Sequence, residues 1–553
     1  MLKIVKVVVL YLILFPAVVS AQKKRDRSKP NVIILYFDDM GFGDMGKNFP
    51  TQAKIPAGSK YLDPSKRSLT PKLDNFAAQG MCFTNGHSAD AVCSPSRYAI
   101  MTGRYAWRTA LKKGVVGGYS KTFMPKDQFT IASMFKSLNY HTAMVGKWHI
   151  GMQFYSPEGK PVDLANDPKV LEENKIDFSK PLGDTPFHHG FDYYFGTASS
   201  LDMPPYAWIE SRNGEARVLV DAAVVKNGKV DFSQARFATN ADLKEGKVIP
   251  NVRPGVYDPG FKTEDYLQVQ SQKVIDLVNK WDADEKPFFI YVPMPAPHDP
   301  HAVQEQFKGA AGFNYGDYIV QADYYAGKII EALGDPNNPG SLASNTVVFI
   351  SSDNGPETHS YWEGQKNNHD ANGPYKGIKR DNWEGGTRVP FLVRWPGVAV
   401  AGASTDHLVW QGDFMSSMAD YLGYKLDPKK EAPDAASFLQ VLKGKPSENK
   451  PRLAFIEHSS QGQFAIIDPK GEWKLIDGTG GGGNDQSPDA DNKKIEKARG
   501  ELFKTPRQLY NLKLDPAERN NLLANDPTPS ILTKEKELYE LLNLIRGDKR
   551  FGL

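Results

Sequence analysis

Reactive side chains gather in a few short segments of this 553-residue chain. Cys93-Ser94-Pro95-Ser96-Arg97 is followed by Thr102-Gly103-Arg104. Ser94 or Cys93 suits a helix cap and Pro95 a first turn, so Cys93 is expected at a helix N-terminus. Backbone N–H groups and the helix dipole favour an anion there, and a thiol so placed is either reactive or simply buried. Asp38-Asp39, Lys147-Trp148-His149, His298-Asp299 and Asp353-Asn354 carry further polar groups. Asp38, Asp39, Asp353 and Asn354 offer only oxygen donors, which suit Ca2+ or Mg2+ and disfavour zinc. His149 and His298 suit proton transfer, because the unperturbed imidazole titrates near neutrality. His298 and His301 lack the helical context and the glutamate of a metalloprotease zinc motif. Each segment alone reads as a satisfied turn. Four together read as one composite site.

The elements that must position these residues alternate along the chain. Asn31–Phe37 is a near-continuous apolar run, typical of a parallel strand covered on both faces. Tyr140–Val145, Pro287–Val292 and Thr346–Ser351 are further strand candidates, each ending at one of the polar segments, and Pro390–Trp395 is a fifth. Helical patterns lie at Pro71–Gln79, Thr130–Leu138, Thr263–Trp281 and Tyr318–Leu333. The alternation predicts an α/β fold with a large, mostly parallel sheet sandwiched by helices. In such sheets ligands bind beyond the carboxyl ends of the strands. Residues 206–262 are polar and weakly periodic, and read as an insertion near the site. After residue 411 the texture changes. Asp413–Leu422 is one more helix, followed by short strands at Arg452–His458, Gln463–Ile467 and Glu472–Ile476. Leu509–Leu512 reads as a polar turn after a strand, and Ser530–Ile545 as a terminal helix. The expected division is a catalytic domain over 28–430 and a small α+β subdomain over 431–553.

Lys+Arg number 68 against 65 Asp+Glu, a net charge of +3. That near balance implies no basic surface for nucleic acid or an anionic membrane. Two cysteines, Cys82 and Cys93, exclude a disulfide-rich scaffold, a cysteine-ligated zinc cluster and an iron–sulfur protein. A Cys82–Cys93 disulfide and two separate thiols both stay open. Lys3 and Lys6 precede an apolar run from Val7 to Val19, shorter than the roughly 20 residues of a membrane span. Val19-Ser20-Ala21 supplies small residues at a cleavage position. Residues 1–21 therefore read as a secretory signal peptide, with an uncleaved anchor as the alternative. The mature chain is expected to be soluble, periplasmic or extracellular, and without a transmembrane anchor.

Cys93 to Arg104 resembles the signature of the type I sulfatases of the alkaline phosphatase superfamily, C-x-P-S-R followed by x-x-x-x-T-G-R. The resemblance continues through NVIILYFDDMGFGD, GKWHIG, PAPHDP, SSDNG, KRDNWEGGTRVP and LYNLKLDPAERNNL, nearly the whole mature chain. It implies that a maturation enzyme oxidises Cys93 to Cα-formylglycine. One oxygen of the aldehyde hydrate then attacks sulfur, and the second serves to expel sulfate. It implies a Ca2+ ion, with Mg2+ as the alternative, held by Asp38, Asp39, residue 93, Asp353 and Asn354. It also implies that Lys147 and Lys379 bind sulfate, that His149 acts on the hydrate, and that His298 protonates the leaving alcohol. Arg97 is expected to hold the hydrate and its metal shell. Lys376 stands where many relatives have arginine, and is not assigned to sulfate. Family specificity lies in the pocket loops, so Asp202, Tyr206, His301 and Arg380 are expected to contact substrate beside Lys147, Lys379 and His298. Trp208 reads equally as a sugar platform or a core residue. The expected substrate is a sulfated carbohydrate, an algal galactan or a glycosaminoglycan-type oligosaccharide. Two other readings stay open: a phosphodiesterase or phosphonate hydrolase of the same superfamily, and an inactive carbohydrate-binding homologue.

Overall fold

Asn31–Asp38 (β1) is buried along its whole length. Val32, Ile34 and Tyr36 enter one hydrophobic core, while Ile33, Leu35 and Phe37 enter another. Side chains alternate across a strand, so a strand with both faces covered shows no polar alternation. The structure is a computed structural model. It describes residues 29–164, 175–219, 225–226, 229–230, 252–253, 255–258, 260–284, 286–446, 452–483, 507–524 and 526–547. The leader read at 1–21 lies outside the described residues.

Nine further strands join β1 in the main sheet. In chain order they are Met81–Phe83 (β2), His141–Lys147 (β3), Tyr193–Thr197 (β4), Trp208–Arg212 (β5), Glu215–Leu219 (β6), Phe288–Pro297 (β7), Thr346–Ser352 (β8), Phe391–Arg394 (β9) and Ser404–Thr405 (β10). Their order across the sheet is β10-β2-β9-β8-β1-β7-β3-β4-β5-β6. The central run β8-β1-β7-β3-β4 is parallel throughout, so its carboxyl ends share one rim. Helices Cys93–Thr102, Ile131–Ser137 and Asp413–Leu422 cover one face through Tyr98, Met101, Phe135, Phe414 and Met418. Thr130 caps the second of these by accepting from the Ser133 N–H. Tyr266–Asp282 and Asn314–Ala332 cover the other face through Val274, Val278, Ile319 and Ala326. This is the expected α/β sandwich.

Phe455–His458 (β11), Phe464–Ile467 (β12), Trp473–Ile476 (β13) and Gln508–Asn511 (β14) form a separate antiparallel sheet. Helix Pro529–Arg546 packs on it through Leu538 and Leu542. The core of this sheet continues into Tyr105, Trp107, Trp383 and Trp410 of the main body. Ala432, Phe438 and Leu442 pack in the core of the main sheet. Among the described residues no helix is long and apolar enough to cross a membrane.

Three local expectations change. Residues 208–219 form the β5–β6 hairpin of the main sheet, so this part of the supposed insertion is core. The Trp208 ring lies 4.6 Å from that of Phe195 and 4.5 Å from that of Tyr266, which settles it as a packing residue. Much of the rest of 206–262 lies outside the described residues. Leu509–Asn511 belongs to a strand rather than to a turn after one. Helix Asn314–Ala332 begins before Tyr318, because Asn314, Gly316 and Asp317 obscure its apolar period.

Candidate active site

β8, β1, β7 and β3 are neighbours, so four distant segments meet at one rim. β1 delivers Asp38 and Asp39, β3 leads through Lys147 to His149, β7 leads to His298, and β8 leads to Asp353 and Asn354. Helix Cys93–Thr102 points its first residue at them, with Cys93 Sγ 3.6 Å from Asp38 Oδ1. Val92 is the N-cap and makes no side-chain capping bond, so neither Cys93 nor Ser94 caps this helix. Cys82 and Cys93 are both free, which closes the disulfide alternative. Asp39, His149 and Arg380 all have positive φ, at 65°, 58° and 85°. Left-handed backbone at non-glycine residues is costly and persists where the surroundings over-determine it.

Each lysine of the site is in short contact with one aspartate of the site. Lys147 Nζ lies 2.6 Å from Asp38 Oδ2, and Lys379 Nζ lies 2.7 Å from Asp39 Oδ2. Arg97 donates from Nε and Nη2 to Asp353 Oδ2 at 3.0 and 2.7 Å, and its Nη2 is 3.4 Å from Asp38 Oδ1. Asn354 Nδ2 donates to Asp39 Oδ1 at 2.7 Å. Burial alone would raise Asp38, but Lys147, His298 and Arg97 hold it well below the usual carboxylate range. Burial, with Asp38 beside it, pushes Asp353 up to about 6 despite Arg97. Arg97, Asp38 and Asp353 are fully buried. Arg97→Met is therefore expected to destabilise the protein by about 3–5 kcal/mol, the cost of removing one partner of a buried ion pair. Thermal unfolding measures it.

Burial and the Asp353 carboxylate push the Cys93 thiol well above its usual range, outweighing Lys147 and Lys379. The thiolate that a reactive cysteine requires is thus disfavoured here, in spite of the helix N-terminus. His149 is buried beside Lys147 and Arg97, and all three influences depress its pKa well below 6.5. Its Nε2 faces the Val116 carbonyl at 2.8 Å. A carbonyl only accepts, so Nε2 carries the proton and Nδ1 holds a lone pair. That Nδ1 is buried and meets no hydrogen-bond partner among the described residues. His298 Nδ1 donates to the Asp299 carbonyl at 2.6 Å, and its Nε2 lies 3.7 Å from Asp39 Oδ2.

Donor atoms of Asp38, Asp39, Cys93 and His298 all lie within 4.8 Å of one another. Asn354 Oδ1 is buried beside them without a hydrogen-bond partner among the described residues. An orphaned buried carbonyl oxygen among carboxylates is costly unless it faces a cation. The residues present therefore fit a hard, oxygen-ligated cation.

A cavity of about 590 Å³ opens over this rim. Cys93, His149, His298 and Lys379 reach its floor, and Asp202 and Arg380 line its wall. Tyr206 and His301 do not line it. The Tyr206 hydroxyl donates to the Asp202 and Arg253 carbonyls at 2.9 and 2.6 Å, and its ring belongs to the core. His301 is buried behind the wall, with Nε2 2.9 Å from Ser360 Oγ and 3.5 Å from Asp299 Oδ1. The hydrogen-bonding capacity of both residues is spent inward. Glu357, absent from the expected set, grips Arg380 at 2.5 and 2.7 Å and lies 3.5 Å from Lys379 Nζ. It stands three residues beyond Asn354 in the same turn, a signal the spacing did offer. Ser460 and Gln461 come from the β11–β12 turn of the C-terminal sheet, and no local pattern marks them.

The parallel rim, the paired acids and lysines and the two oriented imidazoles define an alkaline phosphatase-like hydrolase built for an anionic ester. Residues 30–424 match the family model described as Sulfatase. The N-acetylgalactosamine-6-O-sulfatase of Bacteroides thetaiotaomicron is 28% identical, over 96% of this chain and 95% of that relative. Bovine (Bos taurus) arylsulfatase A is 27% identical, over 95% of this chain and 90% of its own. A solved Bacteroides thetaiotaomicron sulfatase, described in connection with metabolism of multiple glycosaminoglycans, superposes with a TM-score of 0.71 at 26% identity, covering 94% of this chain and 99% of that one. The chain belongs to the sulfatase family and is a sulfuric ester hydrolase.

Proposed function

We propose that the chain is an exported carbohydrate sulfatase that works through a Cα-formylglycine made from Cys93 and a Ca2+ ion, with Mg2+ as the alternative cation. The observation that carries this reading is the cluster of Asp38, Asp39 and residue 93 at the carboxyl rim of four adjacent parallel strands, with Asp353 and Asn354 hydrogen-bonded to Asp39 at 3.1 and 2.7 Å. When present, the formylglycine hydrate would supply the oxygen nucleophile, and a cation held by Asp38, Asp39, Asp353 and Asn354 would supply Lewis-acid charge stabilisation. Lys147 and Lys379 neutralise the remaining sulfate charge. Arg97 fixes Asp353 and so the metal shell. His149 Nδ1 takes a proton from residue 93 when sulfate is expelled. His298 delivers a proton from Nε2 to the departing sugar oxygen, its Nδ1 being pinned by the Asp299 carbonyl. Asp202 and Arg380 meet the sugar.

The B. thetaiotaomicron relative named for N-acetylgalactosamine-6-O-sulfate supports a glycosaminoglycan-type substrate. Secretion through residues 1–21, action by a maturation enzyme, and a division into 28–430 and 431–553 complete the proposal. Two measurements test it. Mass spectrometry of the Cys93 peptide is expected to show a loss of about 18 Da, thiol to aldehyde. Matured protein is expected to release sulfate from a sulfated sugar panel. Release from small aryl esters but from no sugar would sink the carbohydrate assignment.

Cation binding should also depend on pH. Asp353 must ionise to serve as a ligand, and its value near 6 sets the point where protons begin to compete. Ca2+ affinity is expected to hold above that pH and to fall about tenfold per unit below it, for one proton displaced. Calorimetric titrations from pH 8 to 5 read this directly.

A further inference from the structure

A second buried charge cluster joins the two sheets. Lys474, on β13, is fully buried, with Nζ 2.9 Å from Glu384 Oε1, 2.7 Å from Glu457 Oε2 and 3.2 Å from Glu518 Oε1. Arg388 Nη1 lies 2.8 Å from Glu384 Oε2, and His87 Nδ1 lies 3.3 Å from Glu457 Oε1. His87, Glu384 and Glu457 bring their donor atoms together as a metal site would, but the Lys474 ammonium already serves as their cation. Burial alone would raise Glu384; Lys474, His87 and Arg388 hold it at about 2, so the pair stays ionised at working pH. Buried ion pairs commonly stabilise no better than apolar residues of the same size, and their best-attested use is to fix register.

What this cluster holds in register is the segment that carries Lys379. The Glu384 N–H donates to Glu518 Oε2 at 2.6 Å, and Thr387 Oγ1 donates to Glu457 Oε1. Between these anchors, the Gly386 carbonyl accepts from the Gly355 N–H at 2.9 Å, one residue beyond Asn354. The Gly385 N–H donates to the Lys376 carbonyl at 2.6 Å, and the Lys379 N–H donates to the Pro356 carbonyl at 3.0 Å. There is no slack in the contact: a Cβ on Gly355 would lie 1.9 Å from the Gly385 carbonyl oxygen. Residues 376–388 are thus clamped between the metal-ligand turn and the C-terminal sheet.

We propose that Lys474 is a positioning residue for sulfate binding: through Glu384 and Glu518 it sets the place of segment 376–388, and with it the Lys379 ammonium and the Asn354 turn. The C-terminal sheet then completes the sulfate site rather than merely decorating it. The inference rests on the assignment of Lys379 to sulfate.

The test uses the full matured chain, with inorganic sulfate as the probe. Its dissociation constant is read by calorimetry, and its inhibition constant against an aryl sulfate. Lys474→Met, shown folded by circular dichroism, is expected to bind sulfate about ten- to a hundredfold more weakly, the scale of a small misplacement. Lys474→Arg is expected to recover most of that loss. A folded Lys474→Met protein with wild-type sulfate affinity would overturn the proposal, whatever its melting temperature. Should Lys474→Met fail to fold, Glu384→Gln decides by the same readout, since it keeps the side-chain volume and the backbone N–H bond to Glu518. Lys379→Ala, run in parallel, separates the two assignments. Unchanged sulfate affinity there removes Lys379 from the sulfate site, and the positioning inference falls with it. Weakened affinity there, beside unchanged affinity in the folded Lys474 and Glu384 variants, removes the positioning inference alone.

Discussion

Alanine at position 93 is expected to cut sulfate release by about ten-thousandfold or more while leaving the chain folded, the scale on which loss of a covalent nucleophile is felt. The separation of activity from stability follows from where Cys93 sits. It is the first residue of its helix, and the cap is the backbone of Val92, so no capping bond is lost. Its sulfur touches Asp38 Oδ1 at 3.6 Å and carries no structural ion pair. Alanine is also the best helix former. The variant is therefore expected to melt close to the wild type by circular dichroism. Near-normal turnover in it would overturn the mechanism outright. The thiol's own chemistry offers no escape, because burial and Asp353 keep it protonated.

His298→Ala is expected to separate substrates by leaving group. A sugar alkoxide needs its proton as the ester bond breaks, so loss of the acid should cost about 10²–10⁴-fold on sugar sulfates. A phenolate departs without full protonation, so aryl sulfates should lose far less. The geometry supports this assignment: His298 lines the cavity, and the Asp299 carbonyl engages Nδ1, which leaves Nε2, 3.7 Å from Asp39 Oδ2, for proton transfer. Parallel kcat/KM measurements on one sugar sulfate and one aryl sulfate decide the matter. Equal losses on both would remove His298 from the acid role and leave it as a neighbour of Asp39.

Much of the site was legible because strand ends mark themselves. The apolar run Asn31–Phe37 stops at two aspartates, and Thr346–Ser351 stops one residue short of Asp353-Asn354. The adjacency of those ends was not legible. Strands beginning at residues 346, 31, 288 and 141 lie side by side, and no local window carries that order. Tyr206 and His301 misled for a physical reason. A polar aromatic side chain near a site has the same composition whether it faces sugar or spends its hydrogen bonds on backbone carbonyls and a serine. Lys474 drew no notice in the sequence. A lysine within a short strand reads as a solvated residue, and only partners from positions 384, 457 and 518 make its burial affordable.

The pairing of Lys147 with Asp38 and of Lys379 with Asp39 has a consequence for how the protein comes to be assembled. Four full charges lie buried at the base of the site, and they are matched in two short contacts. Folding then does not have to wait for a cation to quench the acids. Under the proposed function, Asp38 and Asp39 are the carboxylates a cation would take, and Lys147 and Lys379 are the ammoniums that neutralise them here, Lys379 with Glu357 also 3.5 Å away. On that reading, filling the site with a cation would be an exchange of counter-ions that turns Lys147 from Asp38 toward an incoming anion.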